Sequence, residues 1–144
     1  EKEVPAMPAT KEFTVLREDR AGTLGRVCQA LADCKVNILA LQSFPIGGMS
    51  VTRFIVDKLA AAKTALDAEW LPWTETEVIQ VALPHRPGEI ARVASRLGEA
   101  DININYLYCG YESGTNTPLV FFGVKEVGKA ALILDRAAAA AAIP

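Results

Sequence analysis

The feature that most constrains this chain is a stretch of sequence that occurs twice, 66 residues apart. "REDRAGTLGRV" begins at Arg17, and "LPHRPGEIARV" begins at Leu83. When residues 13–38 are aligned with residues 79–104, eight of the 26 pairs are identical. The identical pairs include Arg20/Arg86, Gly22/Gly88, Arg26/Arg92 and Asn37/Asn103. Self-similarity at a fixed period indicates a duplicated structural unit, and this period suits a small α/β module better than a solenoid repeat.

The first copy predicts alternating strands and helices in the order β-α-β-β-α-β. The predicted strands are 13–17, 36–44, 50–57 and 73–77, the helices are 23–33 and 59–70, and a hairpin turn lies at 45–48. Thr23 is a possible N-cap of the first helix, with Leu24, Val27 and Leu31 on its inner face. The order is that of the split βαβ, or ferredoxin-like, fold.

The second copy repeats this order but ends differently. Its predicted strands are 77–83, 102–109 and 119–125, and its helices are 89–100 and 127–142. Ile90, Val93 and Leu97 are expected to face inward. Six alanines, Ala137–Ala142, stand where a fourth strand should begin, and alanine favours helix, so we expect a short or missing last strand. The stretch 74–83 must close the first sheet and open the second, so one long strand that serves both is an alternative to two short ones.

We therefore predict an α+β fold of two ferredoxin-like units without a flexible linker between them. The predicted boundaries are a flexible N-terminal leader at 1–11, a first domain at 12–76 and a second domain at 77–144. Many strand residues are apolar on both faces, although helices cover only one face of such a sheet. The other face needs a cover from the second unit or from another chain, and we expect a homodimer.

Each corner between the first strand and the first helix is a candidate ligand site. Gly22 and Gly88 permit positive φ or a close backbone approach. The helix N-terminus just beyond each glycine presents free N–H groups and a positive dipole end, which suit a carboxylate or a phosphate. Asn37 and Asn103 follow at matched positions, and their amides can both donate and accept hydrogen bonds. Turn chemistry alone also accounts for Gly and Asn at such positions.

The corners "DRAGTLGRV" and "HRPGEIARV", with "KVNI" and "DINI" downstream, resemble the ACT domain, a small-molecule-binding module of amino-acid metabolism. In that family the corner commonly reads Pro-Gly with an apolar residue two positions later. "RPGEI" matches this pattern, and "RAGTL" departs from it by Ala21. The resemblance covers about residues 13–142 and implies a stand-alone tandem ACT protein.

The resemblance also implies where a ligand would lie, because the family typically binds amino acids between two ACT units. Carried over by position, the implied ligand-binding residues are Asp19, Arg20, Ala21, Gly22, Thr23, Leu24, Asn37, His85, Arg86, Pro87, Gly88, Glu89, Ile90 and Asn103. Asp19 and His85 differ from the Asn of some amino-acid-binding members, and the two copies differ from each other. We expect one or two non-equivalent sites.

Composition and single residues argue against several other functions. The net charge is −2, with 15 basic and 17 acidic residues intermixed, so no basic nucleic-acid face is expected. No apolar run is long enough to span a membrane. The odd number of three cysteines and the single His85 do not suit a zinc site, and they are typical of free thiols in a reducing cytoplasm. No metal, cofactor or catalytic residue is expected.

Two enzyme or binding alternatives use the same topology. Tyr106, Tyr108 and Tyr111 could stack RNA bases, but the basic and aromatic pattern of an RNA-recognition motif is absent. An acylphosphatase-type enzyme would need a phosphate-cradling loop with a committed Arg and a nearby Asn, which we do not find. The favoured hypothesis is a regulatory sensor that holds a free amino acid or small carboxylate and influences a partner enzyme. The alternative is a ligand-free dimerisation module.

Overall fold

The computed structural model of the chain describes residues 9–112, 114–115 and 117–141. Its strands are β1 (Ala9–Glu18), β2 (Ile38–Ile46), β3 (Met49–Val56), β4 (Trp73–Ala82), β5 (Tyr106–Tyr111) and β6 (Pro118–Gly123). Its helices are α1 (Thr23–Asp33), α2 (Leu59–Ala68), α3 (Glu89–Glu99) and α4 (Val127–Ala141). The predicted α+β class is confirmed.

The chain divides into two compact units. The N-terminal unit is Lys11–Thr76, and the C-terminal unit comprises the described residues of Glu1–Thr10 and Glu77–Pro144. Both boundaries fall inside strands, since β1 begins at Ala9 and β4 is continuous from Trp73 to Ala82. Residues 9–11, which we expected in a flexible leader, therefore lie in a strand, and residues 1–8 are outside the described residues. The stretch that we considered as one long strand is indeed one strand.

The N-terminal unit has the predicted β-α-β-β-α-β order. β3 pairs in antiparallel fashion with β1 on one side and with β2 on the other. Helices α1 and α2 contact each other and cover one face of these strands. The resulting core is built of fully buried side chains, among them Phe13, Val15, Val27, Leu31, Phe54 and Leu66. The apolar spacing of strands and helices thus produces one sheet face covered by two helices.

The β2–β3 hairpin is tighter than predicted. Ile46 is opposite Met49, so only Gly47 and Gly48 form the turn, and both have positive φ, 55° and 79°. Two successive positive φ values are characteristic of a type I′ turn, which matches the twist of the flanking strands. The prediction of a four-residue turn at 45–48 was wrong, because Pro45 and Ile46 continue β2 at its exposed end.

The C-terminal unit has the order β4-α3-β5-β6-α4. β6 pairs in antiparallel fashion with β4 and with β5, and α3 contacts α4. Its separate core includes Ile79, Val93, Leu97, Val120, Phe122 and Leu134. α4 continues to Ala141, the last residue that the structure describes. We expected a short or missing last strand after this helix, and any such strand lies outside the described residues.

Two predictions were wrong, one about the start of β5 and one about which side chains of α1 and α3 face inward. β5 begins at Tyr106, four residues later than predicted. The main-chain N–H of Ile102 donates to the carbonyl of Leu97 at the end of α3 over 2.9 Å, and the Ile102 side chain packs into the core. Leu24 and Ile90, which we expected to face inward, are 39% and 43% exposed. Both are second residues of their helices.

Candidate functional site

The two corners between strand and helix share one backbone geometry. We call residues 17–26 the N-terminal corner and residues 83–92 the C-terminal corner. Gly22 precedes α1 with φ 92°, and Gly88 precedes α3 with φ 89°. A Cβ added to either glycine would meet no atom within 4 Å, so the requirement for glycine comes from the left-handed backbone and not from crowding. The matched glycines of the sequence are thus a conformational requirement in both units.

Thr23 does not cap α1. The N-cap position is Gly22, for which the structure shows no side-chain capping hydrogen bond, and Thr23 is the first helical residue. The Thr23 hydroxyl donates to the main-chain carbonyl of Glu18, with 3.3 Å between the oxygens. The main-chain N–H of Thr23 donates to the carbonyl of Arg20 over 3.2 Å. No side chain caps the N–H groups that follow it in the first turn of α1, so these can serve an external acceptor.

A groove of about 510 Å³ opens at the N-terminal corner. Its apolar wall is formed by Leu16, Met49, Leu71 and Pro72, and its polar wall by Arg17, Glu18, Arg20, Ala21, Gly22, Thr23 and Arg26. Three arginines therefore face one glutamate in the same groove. A lining of this charge attracts anions, and guanidinium groups bind carboxylate and phosphate in a bidentate manner.

The arginines of the N-terminal corner are only partly engaged. Arg26 donates from Nη2 to the main-chain carbonyl of Glu69 over 3.3 Å. In the part of the chain that the structure describes, Arg17 and Arg20 have no ion pair and no side-chain hydrogen bond. The groove thus holds positive charge that the described residues do not neutralise.

A larger groove, of about 800 Å³, opens at the C-terminal corner. The corner contributes Leu83, Pro84, His85, Arg86, Pro87, Glu89 and Ile90, and the ends of β5 and β6 contribute Cys109, Gly110, Tyr111, Pro118, Leu119 and Val120. Most of these side chains are apolar. The groove suits a ligand with an apolar body better than a small multiply charged anion.

The main polar feature of this second groove is the carboxylate of Glu89, the first residue of α3. Its side chain is 10% exposed. Arg86 Nε lies 2.7 Å from Glu89 Oε2, and Arg92 Nη2 lies 2.8 Å from Glu89 Oε1. The hydrogen bonds from Arg92 and then from Arg86 hold the pKa of the Glu89 carboxyl below its ordinary value. A carboxylate also complements the positive end of the helix.

Glu89→Gln is expected to lower the free energy of unfolding at neutral pH, and the difference from the wild type should disappear in acid. Because the folded-state pKa is depressed, the stabilisation is present above the ordinary pKa of glutamate, about 4.3, and is lost as the pH falls through the lower folded value. Urea midpoints of both proteins between pH 7 and about pH 2.5 measure this. Glu99→Gln, at the exposed end of α3, is the matched control. A difference that grows on acidification would contradict the assignment.

The two matched asparagines do not line either groove. The main-chain N–H of Asn37 donates to Asp57 Oδ1 over 2.9 Å, and the N–H of Asp57 donates to the carbonyl of Asn37 over 3.2 Å. Asn103 donates from Nδ2 to Asn105 Oδ1 over 3.1 Å. These contacts join the start of β2 to the end of β3 and order the segment before β5. Asp19, Leu24 and Gly88 also lie outside the two groove linings.

The grooves contain residues that sequence reasoning did not select. In the N-terminal groove these include Arg17, Met49 and Leu71, and in the C-terminal groove Cys109, Tyr111 and Leu119. The feature that could have identified these residues is the pairing of strands. An antiparallel partner strand places its end beside the corner, as Met49 opposite Glu18 and Leu119 opposite Ala82 show.

The described residues offer little for metal or nucleophilic chemistry. Within residues 9–112, 114–115 and 117–141, no group of three or more His, Cys, Asp or Glu side chains could hold a metal ion. His85 is exposed on its turn. All three cysteines are free thiols, and burial raises the pKa of Cys28. No helix in the described ranges is both long and apolar enough to cross a membrane.

Comparisons with known proteins agree with this architecture. The chain resembles a crystal structure of a protein from Bacteroides thetaiotaomicron, with 24% identity, a TM-score of 0.78 and coverage of 90% of this chain and 88% of that one. It also resembles the ligand-free regulatory subunit of aspartate kinase from Thermus thermophilus, with 16% identity, a TM-score of 0.61 and coverage of 91% and 93%. The corresponding subunit from Thermus flavus has 17% identity, a TM-score of 0.59 and the same coverage. At these identities the likeness shows the fold.

Sequence comparison is informative for the N-terminal unit. No protein with a curated description matches the chain. The family model of the ACT domain matches residues 12–68, which contain β1 from Glu12, the N-terminal corner, the β2–β3 hairpin and α2. The likeness in sequence to the ACT domain therefore covers 57 residues of the chain, all of them in the N-terminal unit.

Proposed function

We propose that this chain is a regulatory binding protein of two ACT units in tandem, 12–76 and 77–144, that binds a free amino acid or a similar small carboxylate at its corners. The observation that carries the proposal is the groove at the N-terminal corner, where an uncapped helix start and three arginines line the same space. Apart from Leu71 and Pro72, the residues that line this groove lie within the range that the ACT model matches. Carboxylate and phosphate are the groups that such a lining binds.

The tandem arrangement is supported by the C-terminal unit itself. It repeats the strand–corner–helix order, and Gly88 repeats the φ of Gly22 within a few degrees. The regulatory subunits of aspartate kinase from the two Thermus species share the fold over about nine-tenths of both chains. A regulatory role without a catalytic centre of its own, in the cytoplasm and beside a partner enzyme of amino-acid metabolism, accords with these likenesses.

A ligand-free assembly module is the second candidate, and the exposed apolar side chains favour it. Trp70 is 87% exposed, Ile46 61% and Tyr111 62%. Large apolar side chains are typical of surfaces that associate where they form one contiguous patch. We propose a homodimer for both candidates, so that ligand binding, and not oligomeric state, is the property that separates them.

A thermal-shift panel of the twenty amino acids and a few phosphate compounds tests the proposed function. A ligand at 100 times its dissociation constant adds about 2.7 kcal/mol to the stability of the folded state. For a chain of this length, that increment should raise the unfolding midpoint by several degrees, in a dose-dependent manner.

The matched control is the decarboxylated amine of any amino acid that gives a shift. It keeps the side chain and the amino group but lacks the carboxylate, and it should give no shift. If no compound of the panel raises the midpoint while light scattering shows a dimer, the assembly module becomes the better description of the protein.

A further inference from the structure

The two corners have arginines at matched positions, but the side chain between these arginines differs. Arg20 and Arg26 of the N-terminal corner correspond to Arg86 and Arg92 of the C-terminal corner, at the constant offset of 66 residues. The residue after the positive-φ glycine is Thr23 in one copy and Glu89 in the other. The chain thus contains one corner with a carboxylate directly after the glycine and one corner with a hydroxyl at that position.

In the C-terminal corner this pair of arginines already holds a carboxylate. Both oxygens of Glu89 are used, one by Arg86 and one by Arg92, at 2.7 and 2.8 Å. The Glu89 carboxylate is therefore the anion of that corner, and the space left over in the groove is mostly apolar.

In the N-terminal corner no carboxylate stands at the position of Glu89, and the groove lining there has three arginines and one glutamate. Thr23 is too short to reach the arginines in the way that Glu89 does, and its hydroxyl donates to Glu18. The groove also gains Arg17, where the C-terminal corner has Leu83. The side chain of Glu18 is the one acidic group in this lining.

We infer that the two corners are not equivalent: Glu89 occupies the C-terminal corner from within, and the N-terminal corner is the site for an external compact anion, a carboxylate or phosphate group, held by Arg20 and Arg26. This inference rests on the proposed function and locates its site. The apolar wall of Leu16, Met49 and Leu71 then lies beside the rest of the ligand molecule, to which the anionic group is attached.

The test exchanges the two residues in the full chain, with inorganic phosphate as the probe. Backbone amide resonances of Gly22, Thr23, Gly88 and Glu89 are followed during titration, with sodium chloride of equal ionic strength as the reference. In the wild type, phosphate should shift the Gly22 and Thr23 signals to saturation and leave those of Gly88 and Glu89 in place. Thr23→Glu should weaken phosphate binding by at least about tenfold, since the new carboxylate competes for the arginines.

The reciprocal variant and a size control complete the design. Glu89→Thr should make the Gly88 signal respond to phosphate, because Arg86 and Arg92 then lose the carboxylate that both contact. Thr23→Gln, which has the size of glutamate without its charge, should keep most of the wild-type binding and shows that Thr23→Glu acts through charge. A wild-type response at Gly88, or unchanged binding by Thr23→Glu, would overturn the inference.

The amino-acid panel separates this inference from the proposed function. If no amino acid binds but phosphate shifts Gly22 and not Gly88, the inference stands and the amino-acid ligand is wrong. If an amino acid binds and shifts Gly88 instead of Gly22, the proposed function stands and the inference fails. An L-amino acid and phosphate that compete for the Gly22 site identify the carboxylate as the natural anionic group.

Discussion

Phe54→Ala is expected to lower the free energy of unfolding by about 3–5 kcal/mol, the range for a phenylalanine truncated in a core. Phe54 is fully buried on β3 and lies opposite Phe13 of β1. The two rings stack with centroids 5.6 Å apart, and Phe13 also makes an edge contact with Trp73 at 5.5 Å. Truncation would leave a cavity between the sheet and the two helices. Urea unfolding followed by circular dichroism measures the loss.

Leu16→Ala is the matched control for this prediction. Leu16 lies on β1, in the same sheet, but its side chain is 48% exposed. Its truncation should cost less than about 1 kcal/mol, as is usual for surface positions. A cost for Phe54→Ala no larger than that of the control would mean that the Phe13–Phe54 contact is not central to the core.

Gly123→Ala is expected to destabilise the protein by about 1–3 kcal/mol, the cost of forcing extra volume into a packed site. Gly123 lies opposite Tyr106 in the β5–β6 pairing. The Tyr106 ring covers it so closely that an added Cβ would overlap three carbons of the ring, Cζ, Cε1 and Cε2. The ring would have to move, and with it the stack that it forms with Tyr108, at 6.3 Å. Tyr108 in turn stacks on Phe121 at 5.6 Å.

A double-mutant cycle tests this explanation. In a Tyr106→Ala background the obstacle is gone, so Gly123→Ala should cost less than about 1 kcal/mol there. Gly98→Ala is the control, because Gly98 lies in α3 with no atom within 4 Å of an added Cβ, and alanine favours helix. It should be neutral or stabilising. An equal cost of Gly123→Ala in both backgrounds would show that the tyrosine ring is not the cause.

Much of the fold could be predicted from the sequence, because apolar periodicity and turn residues act locally. The order of strands and helices follows from alternation in stretches such as 13–17 and from helical spacing in stretches such as 89–100. The ends of elements were less predictable. Ile46 belongs to β2, whereas Ile102 lies outside β5. Both ends are determined by the partner strand and the core rather than by the residue type alone.

The candidate site could be predicted only in part, for a related reason. Positive φ at Gly22 and Gly88 was one of the two possibilities that the residue type indicated, and it is confirmed at both positions. Leu24 and Ile90 were assigned to the inner face because periodicity identifies a face but not how far along the helix that face stays covered. The role of Glu89 needed three-dimensional distances, since the same three residue types in sequence are also compatible with solvated charges.

The two-glycine turn between β2 and β3 has a consequence for the order of folding. Pairing these strands closes a loop of only Gly47 and Gly48, whereas the β1–β3 pairing joins residues about 40 positions apart, such as Phe13 and Phe54. Hairpins form within about 1–10 μs. Pairing strands that are more distant in sequence is slower, because closing the longer loop costs more chain entropy before the strand contacts form. We therefore expect β1 to join a hairpin that already exists. The anion groove needs the end of β1, so it is completed late in folding, and a ligand held there would slow unfolding more than it speeds folding.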